Sequence, residues 1–140
     1  MRSYAASAVI NADPARIWAI LTDGASYGDW DSGVLRVDGT IALGERIKVV
    51  SEANPRRAFP VRVSEFVPGE RMAWTGGMPF GLFTGIRTFT LTPDGATTQF
   101  AVREEYTGTF LPLIWRSMPD LDPSFRQLAD GLKRRSEARA

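Results

Sequence analysis

Between Val34 and Thr109 the chain alternates β-prone runs with isolated turns, and this pattern limits the possible folds more than any other feature. Val34–Val37, Arg46–Glu52, Phe59–Val67, Arg71–Thr75, Thr84–Thr92 and Thr97–Thr109 read as strands. Gly39, Gly44, Asn54-Pro55, Pro68-Gly69, Gly76-Gly77 and Pro93-Asp94-Gly95 punctuate them. Parallel neighbours need crossovers of about a dozen residues or more, usually helical. None of these connections leaves room for one, so the runs predict an antiparallel meander.

Helical signals flank the meander. Ser3–Ile10 alternates as Tyr4, Ala6, Ala8 and Ile10, which suits a half-buried strand. Asp13-Pro14 then marks a helix start, with Asp accepting from orphan amides and Pro at the first helical position. Ile17, Trp18 and Leu21 share one side of that helix, and Gly24 stops it. Ala25–Gly33 reads as a turn or one short helix carrying Tyr27 and Trp30. Near the other end, Ile114, Met118, Leu121, Phe125, Leu128 and Leu132 recur at helical spacing. Pro119 and Pro123 break the beginning of that stripe, which leaves a regular helix from Asp122 to Glu137. Asp122 before Pro123 repeats the Asp13-Pro14 capping pattern, and Lys133, Arg134 and Arg135 complement the helix dipole.

The expected architecture is α+β: a curved antiparallel sheet of about seven strands against a long C-terminal helix, with two short helices after the first strand. No repeat or linker interrupts it, so residues 1–140 read as a single domain. Because sheets twist, sheet and helix are expected to meet fully at one end and to leave a cavity at the other.

Asp94-Gly95 sets a register. A two-residue Asp-Gly loop pairs Pro93 with Ala96, Leu91 with Thr98, Phe89 with Phe100 and Arg87 with Val102, with Glu104 next along. Arg87, Phe89, Leu91, Phe100, Val102, Glu104 and Tyr106 then share one face. Thr88, Thr90, Gln99, Ala101, Arg103 and Glu105 make the other face wet. An apolar face thus carries one Arg and one Glu at its far end. A charge there must be paired or reach water.

Composition narrows the chemistry. The chain has 17 basic and 16 acidic residues, a net charge of +1, which offers no electrostatic hold on nucleic acid. Arg56-Arg57 and Lys133-Arg134-Arg135 read as solvated surface. The absence of Cys and His removes thiolate and imidazole chemistry and the usual zinc ligands, so neither a metal site nor a cofactor is expected. The first residues lack a signal-peptide pattern and no window approaches the ~20 apolar residues of a membrane span, which predicts a cytoplasmic protein without stable membrane insertion.

Several segments resemble the START/Bet v 1-like (SRPBCC) helix-grip superfamily, of polyketide cyclase/dehydrase and lipid-transport type. They are Ile10-Asn11-Ala12-Asp13-Pro14 with Ile17-Trp18 and Leu21-Thr22-Asp23, Tyr27 and Trp30, Pro68-Gly69-Glu70-Arg71 with Trp74, Phe89 to Pro93, Glu104 to Gly108, and Leu128, Leu132 and Lys133. The resemblance covers nearly the whole chain, although Asp31-Ser32 follows Trp30 where the family often has Pro. It implies a monomer or homodimer that binds or transports a small hydrophobic, lipid- or polyketide-like molecule between sheet and helix. Alternatives it permits are a cyclase/dehydratase, with Glu104 moving the proton and Arg87 or Tyr106 stabilising an enolate, and a chaperone-activator-like interaction module. The binding module is preferred over the enzyme because only one acid–base group faces inward.

On the ligand-binding reading, Trp74, Phe89, Phe100, Val102 and Tyr106 form one wall and Met118, Leu121 and Phe125 the other, with Arg87 and Glu104 orienting the polar end. Tyr27 and Trp30 either finish the core or line the cavity mouth, and the glycines around them favour the mouth. Met78, Phe80, Leu82 and Phe83 form an unusually apolar connection that caps the pocket, meets a hydrophobic partner or fills the core. Phe110 to Trp115 is a second apolar stretch that would share the entrance, or pack ordinarily.

Overall fold

The computed structural model describes residues 2–138. In chain order the elements are β1 (Arg2–Ile10), α1 (Pro14–Leu21), a 3-10 turn (Gly24–Ser26), β2 (Val34–Asp38), β3 (Arg46–Ser51), β4 (Asn54–Val67), β5 (Arg71–Met78), β6 (Phe83–Asp94), β7 (Thr97–Thr107), α2 (Leu111–Ser117) and α3 (Asp122–Glu137). The strands form a seven-stranded antiparallel sheet in the order β1-β7-β6-β5-β4-β3-β2. The expected meander runs from β2 to β7, and β1 joins at the β7 edge, leaving α1 to carry the chain across to the other side. Register shifts in β2/β3, β3/β4 and β4/β5 bend the strands and curl the sheet.

The β6–β7 hairpin differs from its expected register. Pro93 faces Thr98 and Asp94 faces Thr97, so the loop is Gly95-Ala96. Gly95 supplies the positive φ of 63° that a type II′ turn needs at its first central position. Leu91 therefore faces Phe100, Phe89 faces Val102, and Arg87 faces Glu104. A slip of two residues keeps every side chain on its expected face, because the pleat repeats every two residues.

In α1, Asp13 accepts from the Arg16 amide at 2.9 Å and Pro14 opens the helix. Ile17 and Leu21 are fully buried, and Trp18 leans on Phe66 with ring centroids 5.3 Å apart. Helix α3 occupies the expected span, but its cap differs. Asp122 lies inside the helix, and its amide donates to Asp120 Oδ1 at 3.0 Å. Phe125, Leu128, Ala129 and Leu132 bury one face of α3 against the sheet and α1. Each large apolar side chain so buried contributes roughly 1.5–3 kcal/mol.

The middle and the C-terminal end of α3 are tied down. Arg16 crosses to the C-terminal end, donating to the carbonyls of Ser136 (2.6 Å) and Ala138 (2.7 Å), groups that otherwise lack partners. Glu137 accepts from the Asn11 amide at 2.8 Å and from Lys133 at 2.7 Å, and these bonds hold its carboxyl below the usual range. Asp31 takes Gln127 Nε2 at 2.6 Å and Arg134 at 2.8 Å. Asp31 is thus a carboxylate that fastens the segment after α1 to α3.

Candidate functional site

Sheet pairing places Trp74, Arg87, Glu104 and Tyr4 in one lateral row across β5, β6, β7 and β1. Arg87 Nε donates to Glu104 Oε1 at 2.7 Å, which resolves the two inward charges as a pair. Phe125 of α3 lies against the guanidinium, 4.7 Å from its ring centroid. Burial works against the Arg87 charge, but the charge and hydrogen bond of Glu104 outweigh it and hold the guanidinium above its usual range. The two side chains nevertheless keep 22% and 18% of their surface accessible. The pair is thus shielded from water on most sides but not sealed from it.

Two residues that adjoin this pair, Trp74 facing Arg87 and Tyr106 two beyond Glu104, carry donors without a partner, as does Trp30 in the core. Trp30 Nε1, Trp74 Nε1 and the Tyr106 hydroxyl are buried and make no hydrogen bond. Tyr106 stands two residues beyond Glu104; burial first, then the charge and hydrogen-bonding reach of Glu104, push its phenol up, although no contact between them meets hydrogen-bond geometry. Opposite it lies Gly85, where an added Cβ would sit 3.4 Å from Glu104 Oε2 and 3.5 Å from the Tyr106 ring. Aromatics close the end: Phe83 stacks on Tyr106 at 6.0 Å, and Trp115 of α2 stacks on Tyr4 at 5.3 Å.

The remaining expected site residues divide by depth. Tyr27 and Trp30 belong to the core and not to a cavity mouth. The Tyr27 hydroxyl donates to the Leu21 carbonyl at 2.6 Å, and its ring lies 5.3 Å from Trp30 and 6.1 Å from Trp74. Trp74, Phe89, Phe100, Val102 and Phe125, expected to wall a cavity, are also core residues packed against one another, with Trp74 and Phe89 4.8 Å apart. The middle of the sheet–helix interface is therefore filled, because the large rings of β5–β7 and α3 reach across it. Met118 and Leu121 are half-buried in the break between α2 and α3. Met78 and Phe80 do not cap a pocket. They are 43% and 94% exposed, and Gly77 and Gly81, both at positive φ, turn the connection outward. Two hollows lie elsewhere on the surface, one of about 400 Å³ beside Arg16, Asp23 and Arg135, another of about 300 Å³ on the outer face of β1, β6 and β7.

Tyr4 and Gly85 complete the site without having been expected there. Tyr4 donates to the Pro119 carbonyl at 3.4 Å and meets Tyr106 edge-on at 6.1 Å. Nothing local indicates that β1 pairs with β7, so no sequence signal brings Tyr4 to Glu104. Among the described residues no group of three or more His, Cys, Asp or Glu is placed to hold a metal ion.

The sequence matches the family described as "Polyketide cyclase / dehydrase and lipid transport" over residues 1–137. No curated protein matches it significantly. Solved structures similar in fold include a protein of Chromobacterium violaceum, at 22% identity and TM-score 0.72 with 98% of each chain covered. A START superfamily protein from Mycobacterium smegmatis follows at 14% identity and TM-score 0.70, covering 96% of this chain and 97% of the other. DynU16, from the dynemicin biosynthetic locus, has 16% identity and TM-score 0.68, covering 94% of this chain and 46% of the other. The curled sheet gripping α3 is thus the START/Bet v 1 helix-grip fold. With its family match running from the first strand through the last helix, the chain belongs to the polyketide cyclase/dehydrase and lipid transport family.

Proposed function

We propose that this protein binds one small, mostly apolar molecule through a hydrogen-bond-accepting group, at the Arg87–Glu104 end of the sheet–α3 interface. One observation supports the reading: Tyr106 and Trp74, whose hydroxyl and Nε1 are buried and unpaired, neighbour the Arg87–Glu104 ion pair, the only inward one among the described residues on this sheet face. A buried donor without a partner costs about 1–3 kcal/mol, which a ligand carbonyl or carboxylate oxygen would offset. The family's description, naming polyketide and lipid chemistry, supports a ligand of this size and polarity. Gly85 puts no side chain beside Glu104, and a ligand at this end would meet the rings of Phe83 and Trp115, which pack on Tyr106. Glu104 spends one carboxylate oxygen on Arg87, which suits orienting a ligand better than moving a proton.

Thermal unfolding with medium-chain fatty acids, aryl ketones and hydrocarbons of matched size tests this. An acid or ketone at a hundred times its Kd should stabilise the fold by about 2.7 kcal/mol, a rise of several degrees. Tyr106→Phe should weaken that ligand about three- to ten-fold while leaving the unliganded protein at least as stable. Equal shifts from hydrocarbons, or none from any acceptor, would sink the proposal.

A further inference from the structure

The end of the sheet that carries the β5–β6 connection also gathers apolar side chains for which the fold has no use. Phe80 is 94% exposed, Leu113 68%, Met78 43% and Phe110 40%. They form one surface. The Phe110 amide donates to the Leu82 carbonyl at 2.8 Å and the Thr109 amide to the Gly81 carbonyl at 3.3 Å, joining the β5–β6 connection to the segment that leads into α2. Met78 pairs with Phe83 at the base of that connection. Phe80 is held out by a backbone with φ of 60°, a region bulky side chains avoid. An aromatic ring is thus presented to water against both its hydration and its backbone preference.

The segments that build this surface carry charge of one sign. Residues 54–60, 78–84 and 107–117 contain Arg56, Arg57 and Arg116 and no Asp or Glu. Val61 pairs with Gly76, so Phe59 continues alongside Met78, and Arg57 lies over the Phe59 ring at 4.9 Å. Arg116 is three residues beyond Leu113, on the same side of α2. Arg2 adds a further cation, 5.2 Å from the Trp115 ring centroid. Among the described residues none of these arginines joins an ion pair.

An apolar tip rimmed by unpaired cations complements an anionic lipid surface, where the acyl boundary receives Phe, Leu and Met while phosphates receive Arg. A second copy of the chain fits it poorly. A two-fold contact would set Arg56, Arg57 and Arg116 against their own counterparts, and like charges across an interface repel. We propose that this end of the molecule docks peripherally on anionic bilayers, with Phe80 and Leu113 entering the acyl boundary and the arginines meeting lipid phosphates. No described helix is long and apolar enough to cross a membrane, so such docking would be superficial. It does not depend on a ligand at the Arg87–Glu104 pair.

Flotation with phosphatidylcholine vesicles, with and without phosphatidylserine, is the test. The protein should float only with the phosphatidylserine vesicles, and less so as salt rises. Each of Arg56→Gln, Arg57→Gln and Arg116→Gln should lower the partition about five-fold. Phe80→Ser and Leu113→Ser should each lower it about ten-fold, with the unfolding temperature unchanged because both side chains are exposed. Failure of the native protein to float, or equal flotation with both vesicle types, overturns the proposal. So does self-association or protein capture that Phe80→Ser abolishes in the absence of vesicle binding, which would assign the tip to a protein partner.

Discussion

On an otherwise apolar sheet face, Arg87 and Glu104 keep their charges because each is the other's partner at 2.7 Å and Phe125 presents its ring to the guanidinium. Glu104→Gln keeps the volume but leaves Arg87 uncompensated. Breaking a fully buried pair costs about 3–5 kcal/mol, and with 22% and 18% of the two side chains still accessible we expect about 2–3 kcal/mol. Urea unfolding with an unchanged m-value measures it. Arg87→Met with Glu104→Leu should recover most of the loss, since apolar replacement of both partners removes the charge left alone. A single-variant cost within about 0.5 kcal/mol would mean that water already solvates the pair. Alternation alone put both residues on the inner face. Their direct opposition needed the true hairpin register.

Helix α3 shows how closely one element can depend on the absence of a side chain. At Gly131 an added Cβ would overlap the Asp31 carbonyl oxygen, and Asp31 is fixed there by Gln127 and Arg134. In an isolated helix Gly→Ala gains about 1 kcal/mol. Here the obstacle is backbone, which cannot rotate aside, so Gly131→Ala should instead destabilise by about 1–3 kcal/mol, as overpacking does. Thermal unfolding decides the sign, and a stabilised variant would contradict the close approach. The span of α3 was readable from its apolar stripe and from Pro123. Its packing partner was not, because nothing near Gly131 in sequence announces that Asp31 arrives there.

For the molecule as a whole, the phenols of Tyr27 and Tyr106 couple the fold to alkaline pH. Burial, the largest influence on each, pushes both up from the ordinary value of 10.0. The sign follows from which state holds the proton more tightly, and here it is the native one. Stability from these groups is therefore complete below pH about 10 and declines above it, as the unfolded chain releases protons that the fold retains. In an alkaline titration, tyrosinate absorbance from these residues should appear together with the loss of tertiary circular dichroism. Tyr27→Phe and Tyr106→Phe should each flatten the fall in stability. Ionisation of both near pH 10 within the intact fold would show them solvated. By itself the sequence determined the antiparallel meander, the extent of α1 and α3, and the inner face carrying Arg87, Glu104 and Tyr106, because periodicity and turn chemistry act over a few residues. Only the tertiary structure decided that β1 closes on β7, that Tyr27 and Trp30 complete a filled core, and that Arg87 and Glu104 pair while keeping part of their surface accessible. Those outcomes depend on the curl of the sheet and on how far large rings reach across it, and contacts between residues distant in the chain set both.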